Sequence, residues 1–323
     1  MLYIPNTLEN KTIVITGGAG FIGSHLAMYF QTHHPKARVV VIDKFREQTP
    51  PTTSLGHFKN LLNFDGEIIT ADINKDLGIL KKLDFDYLFH QAAISDTTNT
   101  NQELVMQTNH RAFIKILKIA LKKDARVIYA SSAGVYGNTP APNKVGFGQK
   151  PENVYGFSKL CMDKSALDFA HESFMPIVGL RYFNVYGPGE FYKHKTASMI
   201  LQLGLQALQH KEVKLFEFGE QQRDFVYIED VIQANVKAMG ASVSGVYNVG
   251  YGKSYSYNDI VRLLQEHLGE FKVTYIKNPY DFFQEHTCAD IAPTHADLDY
   301  APSYDLKRGV SAYIPTIKEL AKC

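Results

Sequence analysis

Lys11-Thr-Ile-Val-Ile-Thr-Gly-Gly-Ala-Gly-Phe-Ile-Gly23 is a short apolar run that stops on a cluster of glycines. Its first half has the length and β-branched content of a buried strand. From Phe21 to His33 the apolar residues return at helical spacing, ending near Pro35. Between the two, Gly18, Gly20 and Gly23 keep the dinucleotide-fingerprint spacing in the context it requires, after a strand and opening a helix. Glycine lets the turn close and the backbone approach a pyrophosphate, and the helix N-terminus supplies oriented N–H groups. Arg38-Val-Val-Val-Ile-Asp43 is the next strand, and Asp43 falls 20 residues after Gly23, where a carboxylate can hydrogen bond an adenosine ribose. A bare glycine turn accounts for the spacing, but not for strand, helix and acid together. Gly17, Gly20, Phe21, Ile22, Gly23 and Asp43 are therefore expected to touch a dinucleotide. Asp43 alone favours NAD, whereas Lys44 and Arg46 directly after it can meet a 2′-phosphate. The balance tilts to NADP, with NAD the alternative.

Outward from this unit the rhythm continues. Strands are predicted at 67–72, 86–90, 125–131 and 177–182, with helices at about 103–122 and 153–172. Strands separated by helices imply parallel β-α-β units with right-handed crossovers. The expected fold is α/β, a Rossmann-type doubly wound parallel sheet with a smaller C-terminal α/β lobe. Asp72 after the third strand is a candidate adenine contact, and Gln91, Ala92, Ala93 and Ser95 after the fourth are placed to line the cofactor. Asn109 is expected to hold a helix bend or the cofactor shelf.

Beyond Tyr182 the elements shorten. A loop is expected from Asn184 to Lys195, a helix over 196–209, strands at 214–218, 224–228, 246–249 and 273–276, a helix starting at Glu229 and another over 257–268. The dinucleotide-binding domain is placed at 1–183, with about 225–252 and part of the C-terminus. The substrate lobe takes about 184–224 and 253–300.

Composition excludes several classes. The chain has 323 residues and a formal net charge of +1 with no long basic run, so a surface for nucleic acid is not expected. Cys161, Cys288 and Cys323 are too scattered for a metal site or disulfide framework, which points to a reducing compartment. Nothing at the N-terminus resembles a signal peptide and no apolar run approaches ~18 residues, so a soluble cytoplasmic protein is expected, with no membrane and no metal.

The chemistry rests on three later residues. Ser132 follows the fifth strand, and Tyr155 and Lys159 stand four apart on the next helix, hence on one face. A phenol has an unperturbed pKa of about 10, and a nearby ammonium favours its anion. With a hydroxyl and a nicotinamide beside it, the pair can take a proton from an alcohol as hydride leaves. Tyr-x-x-x-Lys alone is common, and the order gives it weight: glycine loop, acid after strand two, serine pair after strand five, then the pair.

In that order the chain resembles the extended short-chain dehydrogenase/reductases over essentially its full length, with Ser131-Ser-Ala-Gly-Val-Tyr-Gly137 as the serine segment. Arg181-Tyr-Phe-Asn-Val-Tyr-Gly-Pro188 is general to sugar-nucleotide enzymes of that group. Five further segments resemble the ADP-L-glycero-D-manno-heptose 6-epimerases: Gly189-Glu-Phe-Tyr-Lys-His-Lys-Thr-Ala-Ser198, Leu215-Phe-Glu-Phe-Gly219, Gln222-Arg-Asp-Phe-Val-Tyr-Ile228, Gln284-Glu-His-Thr-Cys-Ala-Asp290 and the run from His90 to Thr98. The resemblance implies epimerisation at C6″ of an ADP-heptose by transient oxidation and re-reduction on tightly held NADP, for lipopolysaccharide heptose precursors. It implies Tyr155 and Lys193 as the two acid/base groups, Ser132 and Lys159 assisting, and Val185 and Lys193 against the cofactor. Substrate contacts are implied at Ser95, Ser132, Asn184, Lys195, Gln202, Phe216, Glu217, Phe218, Gly219 and Arg223, the last gripping the diphosphate. Phe283 stands where a tyrosine is usual, and Lys195 and Gln202 where serine and histidine are usual, so phosphate contacts are rearranged. A homo-oligomer, commonly pentameric, is also implied.

A UDP-hexose 4-epimerase would share cofactor and triad without needing Lys193. A 4,6-dehydratase needs an acidic pair where Ala133 and Gly134 stand. A dinucleotide-sensing protein without activity would not need the intact Ser132, Tyr155 and Lys159.

Overall fold

The computed structural model of the protein describes residues 2–5, 8–46, 55–277 and 284–322. The predicted first unit forms as β1 (Thr12–Thr16), α1 (Phe21–His33) and β2 (Arg38–Asp43). There follow β3 (Glu67–Thr70), α2 (Gly78–Lys82), β4 (Tyr87–His90), α3 (Gln102–Val105), a π-helical turn (Met106–Arg111), α4 (Ala112–Leu121), β5 (Arg126–Ser132), α5 (Val154–Ala170) and β6 (Ile177–Tyr182). The later half holds β7 (Asn184–Tyr186), a 3-10 segment (Glu190–Thr196), α6 (Met199–His210), β8 (Glu212–Phe216), β9 (Gln222–Tyr227), α7 (Ile228–Ala238) and β10 (Gly245–Val249). The chain closes with β11 (Ser254–Ser256), α8 (Tyr257–Leu268), β12 (Lys272–Ile276), α9 (Ala292–Leu298) and α10 (Leu306–Leu320).

Seven strands make one sheet in the order β10-β6-β5-β4-β1-β2-β3, every pair parallel. Strand β1 shows why it is doubly covered. Ile13 and Ile15 enter the apolar cluster that holds Leu26 and Phe30 of α1, whereas Val14 enters the opposite one, with Phe113 and Ile116 of α4. Alternation sends successive side chains to opposite faces, and a sheet apolar on both faces needs helices on both. Full burial of each such side chain is worth ~1.5–3 kcal/mol. Strand order reverses between β1 and β4, so the loops at their C-terminal ends part and leave a crevice there.

Two small sheets, β11-β9-β7 and β12-β8, lie outside this frame. The expected 184–195 loop contains β7 and the 3-10 segment. Three residues are too few to show a period, and β7 exists because β9 offers it a partner, Asn184 opposite Phe225. The helix expected from 196 starts at Met199, because the Ser198 hydroxyl accepts the Leu201 N–H at 3.3 Å. The expected helix over 103–122 is broken by the π turn, which carries Asn109 inward to full burial. Strand β11 and helices α2, α9 and α10 have no counterpart among the sequence-based expectations. No helix among the described residues is long and apolar enough to cross a membrane.

Candidate active site

The crevice is a cleft of about 720 Å³. It is floored by the glycine turn, with Gly17, Gly20, Phe21, Ile22, Gly23, Asp43 and Lys44 all lining it. Gly17 has φ +73° and packs so closely on the loop after β4 that a Cβ would lie 2.6 Å from the Ala92 nitrogen. A Cβ on Gly23 would lie 2.3 Å from the Gly17 carbonyl oxygen. Helix α1 starts at Gly20 with no side-chain cap. Its first-turn N–H groups therefore have no intrahelical acceptor, and Phe21, Ile22 and Gly23 border the cleft. An uncapped helix end beside a cradle that tolerates no side chain fits a pyrophosphate. The buried Asp43 carboxylate accepts the Ala19 N–H at 3.0 Å and the Phe45 N–H at 2.8 Å, which fixes it at the end of β2.

The other expected cofactor residues divide. Asp72, Gln91, Ala92, Ala93, Ser95 and Val185 line the cleft, and Asn74 and Lys75 join them. Asn109 does not line it. Its amide clamps both backbone groups of Ile94 at 2.8 and 3.0 Å and donates to the Ser158 hydroxyl at 2.9 Å, tying the loop after β4 to α5. Arg46 also turns away: its guanidinium donates to the Tyr192 carbonyl and meets the His194 ring. His57 stacks on Tyr192 with ring centroids 3.7 Å apart. The loop after β2 thus grips the segment that carries Lys193.

Ser132, Tyr155, Lys159 and Lys193 come together on the cleft wall. Strand β5 ends in Ser132, whose Oγ accepts the Gly134 N–H at 3.0 Å. The Asn153 side chain caps α5 by accepting the Gly156 N–H at 2.8 Å, which sets Tyr155 in the first turn. Burial pushes the Tyr155 phenol up, and its hydrogen bond with Ser132 pulls it back in part. Lys159 is buried, with Nζ 5.8 Å from the Tyr155 ring centroid and donating to the Ala130 carbonyl at 2.7 Å. Burial lowers it to about 8 against the opposing charge of Asp163. Lys193 sits on the 3-10 segment, its Nζ 5.5 Å from the Phe21 ring centroid. Burial lowers its pKa as well, and the Glu190 carboxylate works against that shift.

Among the expected substrate contacts, Asn184 lines the cleft with Ser95 and Ser132, and several others stand outside it. Lys195 reaches across the rim to Asp96, 3.1 Å away, and Gln202 donates to the Ala197 carbonyl at 2.7 Å. Arg223 is buried, donating to the carbonyls of Gln222 and Glu285 at 2.8 and 3.2 Å. Phe216, Glu217, Phe218 and Gly219 form the turn after β8, where Phe218 is 69% exposed and faces Tyr275. Phe283 lies outside the described residues. Tyr182, Ser198 and Tyr257 line the cleft without having been singled out. Tyr182 and Ser198 stand in quoted motifs and Tyr257 opens an expected helix, but nothing in their spacing marks them.

Comparison with known proteins places this geometry in context. The family described as "NAD dependent epimerase/dehydratase family" matches residues 13–250. The ADP-L-glycero-D-manno-heptose-6-epimerase of Brachyspira hyodysenteriae is 32% identical over 323 residues, covering 95% of this chain and 98% of its own. The crystal structure of the Helicobacter pylori enzyme of that name is 66% identical with a TM-score of 0.93, covering 98% of this chain and 99% of that one. A Bacillus cereus UDP-glucuronic acid 4-epimerase, solved with UDP-glucuronic acid and NAD, is 30% identical with a TM-score of 0.83, covering 96% and 99%.

Proposed function

The chain belongs to the NAD dependent epimerase/dehydratase family, within it to the ADP-L-glycero-D-manno-heptose-6-epimerases, and on that premise we propose how its cleft works. It interconverts ADP-D-glycero- and ADP-L-glycero-D-manno-heptose at C6″, the step that supplies heptose for lipopolysaccharide. A nicotinamide dinucleotide held on the Gly17–Gly23 turn supplies reversible hydride transfer. Tyr155 takes the C6″ hydroxyl proton while Ser132 holds the oxygen. The resulting 6″-ketone then turns over in the cleft, and Lys193 serves the opposite face, so the configuration inverts. Lys159 orients the nicotinamide ribose. NADP is the favoured cofactor, because Lys44 lines the cleft directly after Asp43 and the Arg46 guanidinium follows two residues later. The lobe of about 184–224 and 253–300 receives the sugar nucleotide, with Asn184 inside the cleft and Arg223 at its edge. The enzyme works in the cytoplasm as a homo-oligomer.

The observation that carries this reading is Lys193. A second, desolvated amine shares the cleft with the Ser132, Tyr155 and Lys159 set, as a reaction needing protons on two faces of one carbonyl requires. Purified protein given ADP-D-glycero-D-manno-heptose without added reductant should yield both C6″ epimers, and Lys193→Met should lose at least about a hundredfold in kcat while retaining bound nucleotide. Turnover of UDP-glucose to UDP-galactose with no action on the heptose would sink the assignment. Nucleotide extracted from the protein, identified by mass, distinguishes NADP from NAD.

A further inference from the structure

Glu190 stands three residues before Lys193 on the same 3-10 segment. Glu190 is fully buried, yet no arginine or lysine among the described residues donates a hydrogen bond to it. One carboxylate oxygen accepts the Ser198 N–H at 2.6 Å, and the other accepts the Ser198 hydroxyl at 2.6 Å and the Gly187 N–H at 3.3 Å. Those donors stand at the two ends of the segment that carries Lys193. We propose that Glu190 is the positioning residue of Lys193: its carboxylate fastens the two ends of the 187–198 segment together and serves as counter-charge to the lysine. This rests on the reading of Lys193 as an acid/base group.

Three features support it. The segment is bent at Gly189, with φ +92°, and at His194, with φ +48°, so Lys193 is held between two kinks rather than by a regular helix. Ser198, which receives the carboxylate, also caps α6, so the same contact anchors the segment to a helix of 12 residues. A buried carboxylate without a cation costs several kcal/mol, and the cation that acts on Glu190 is Lys193. The remaining titratable groups packed there are Tyr313 from α10, whose phenol Glu190 pushes up, and His25 of α1, packed against Gly189. Burial raises the carboxyl and lowers the amine, and the charge of each works against the shift that burial imposes on the other.

Glu190→Gln and Ser198→Ala separate charge from fastening. The readouts are kcat, KM and the pH at which the Lys193 amine becomes reactive toward acetic anhydride, followed by peptide mass spectrometry on the nucleotide-loaded enzyme. Glu190→Gln is expected to lower kcat by roughly tenfold or more with KM within about threefold. It should also move the Lys193 midpoint down by about one pH unit or more. Ser198→Ala keeps the carboxylate, so kcat should fall with the midpoint unmoved. A Glu190→Gln enzyme with an unchanged midpoint, or with kcat within about twofold of the parent, overturns the proposal. Should that variant fail to fold, Ser198→Ala decides, and parental kcat there overturns it equally. Labelling reads the amine without turnover. Full activity in Lys193→Met alongside a Glu190-dependent midpoint would therefore remove the acid/base reading and leave the pairing intact.

Discussion

Lys159 shows how one buried residue ties stability to chemistry. Its ammonium is enclosed, donates to the Ala130 carbonyl, and has a pKa lowered to about 8 from 10.5. The unfolded chain therefore binds more protons than the folded one between those values, so the cost of the buried charge is full below pH 8 and fades as pH rises toward 10.5. Replacing Lys159 with Met removes that pH-dependent term and also the bond to Ala130, which contributes at every pH. The variant should lose epimerisation. Measured by urea unfolding, its stability relative to the parent should fall by about 2 kcal/mol between pH 7 and pH 10. A pH-independent difference would mean that the amine is not desolvated as its burial implies. Tyr155 belongs to the same scale. Burial raises its phenol, the hydrogen bond with Ser132 works against that shift, and the Lys159 Nζ stands 5.8 Å from its ring centroid.

At the scale of elements, the informative piece is the helix over 102–121. Its periodicity is legible in the sequence, but the π turn at Met106–Arg111 is not, because one extra residue in a turn leaves the apolar pattern almost intact. The consequence is Asn109, turned inward and bonded to Ile94 and to Ser158, one residue before Lys159 on α5. Asn109→Ala should cost about 2–3 kcal/mol by chemical denaturation, since it strands buried backbone groups of Ile94. Nucleotide affinity, followed by fluorescence titration, should weaken along with it. Unchanged affinity would confine Asn109 to stability. Element β7 escapes a sequence reading for the opposite reason: three residues have no period, and only their pairing with β9 makes them a strand.

For the whole molecule, the question is how the two halves of the cleft are held in register. Arg46 leaves the loop after β2 and binds Tyr192 and His194, on either side of Lys193. His57 stacks on Tyr192 from the same side. The loop after β2 and the segment that carries Lys193 are thus mechanically joined. Arg46→Leu should leave thermal unfolding within a few degrees of the parent, yet lower kcat by about tenfold, because small misplacements at the reacting centre are expensive. If only nucleotide affinity changed, Arg46 would be a cofactor contact, as its place in the sequence suggests.

The dinucleotide fold and most of the residues that line its cleft are legible in the amino-acid sequence alone, and the reason is local. Gly17 to Gly23, Asp43, Ser132, Tyr155 and Lys159 lie in short motifs whose spacing is set by one turn, one strand end or one helix face, whereas Lys193 stands out only through the resemblance of its segment. Arg46, Arg223, Lys195 and Glu190 cannot be placed that way. Each has a side chain long enough to serve the cleft, the rim or the backbone beneath, and which it meets depends on strands and helices distant in the chain. Packing turns Arg46 toward Tyr192, buries Arg223 under Glu285, draws Lys195 to Asp96 and sets Glu190 against Gly187 and Ser198. Sequence spacing sets a residue's neighbours within one element, whereas contacts between elements appear only once the sheet has brought them together.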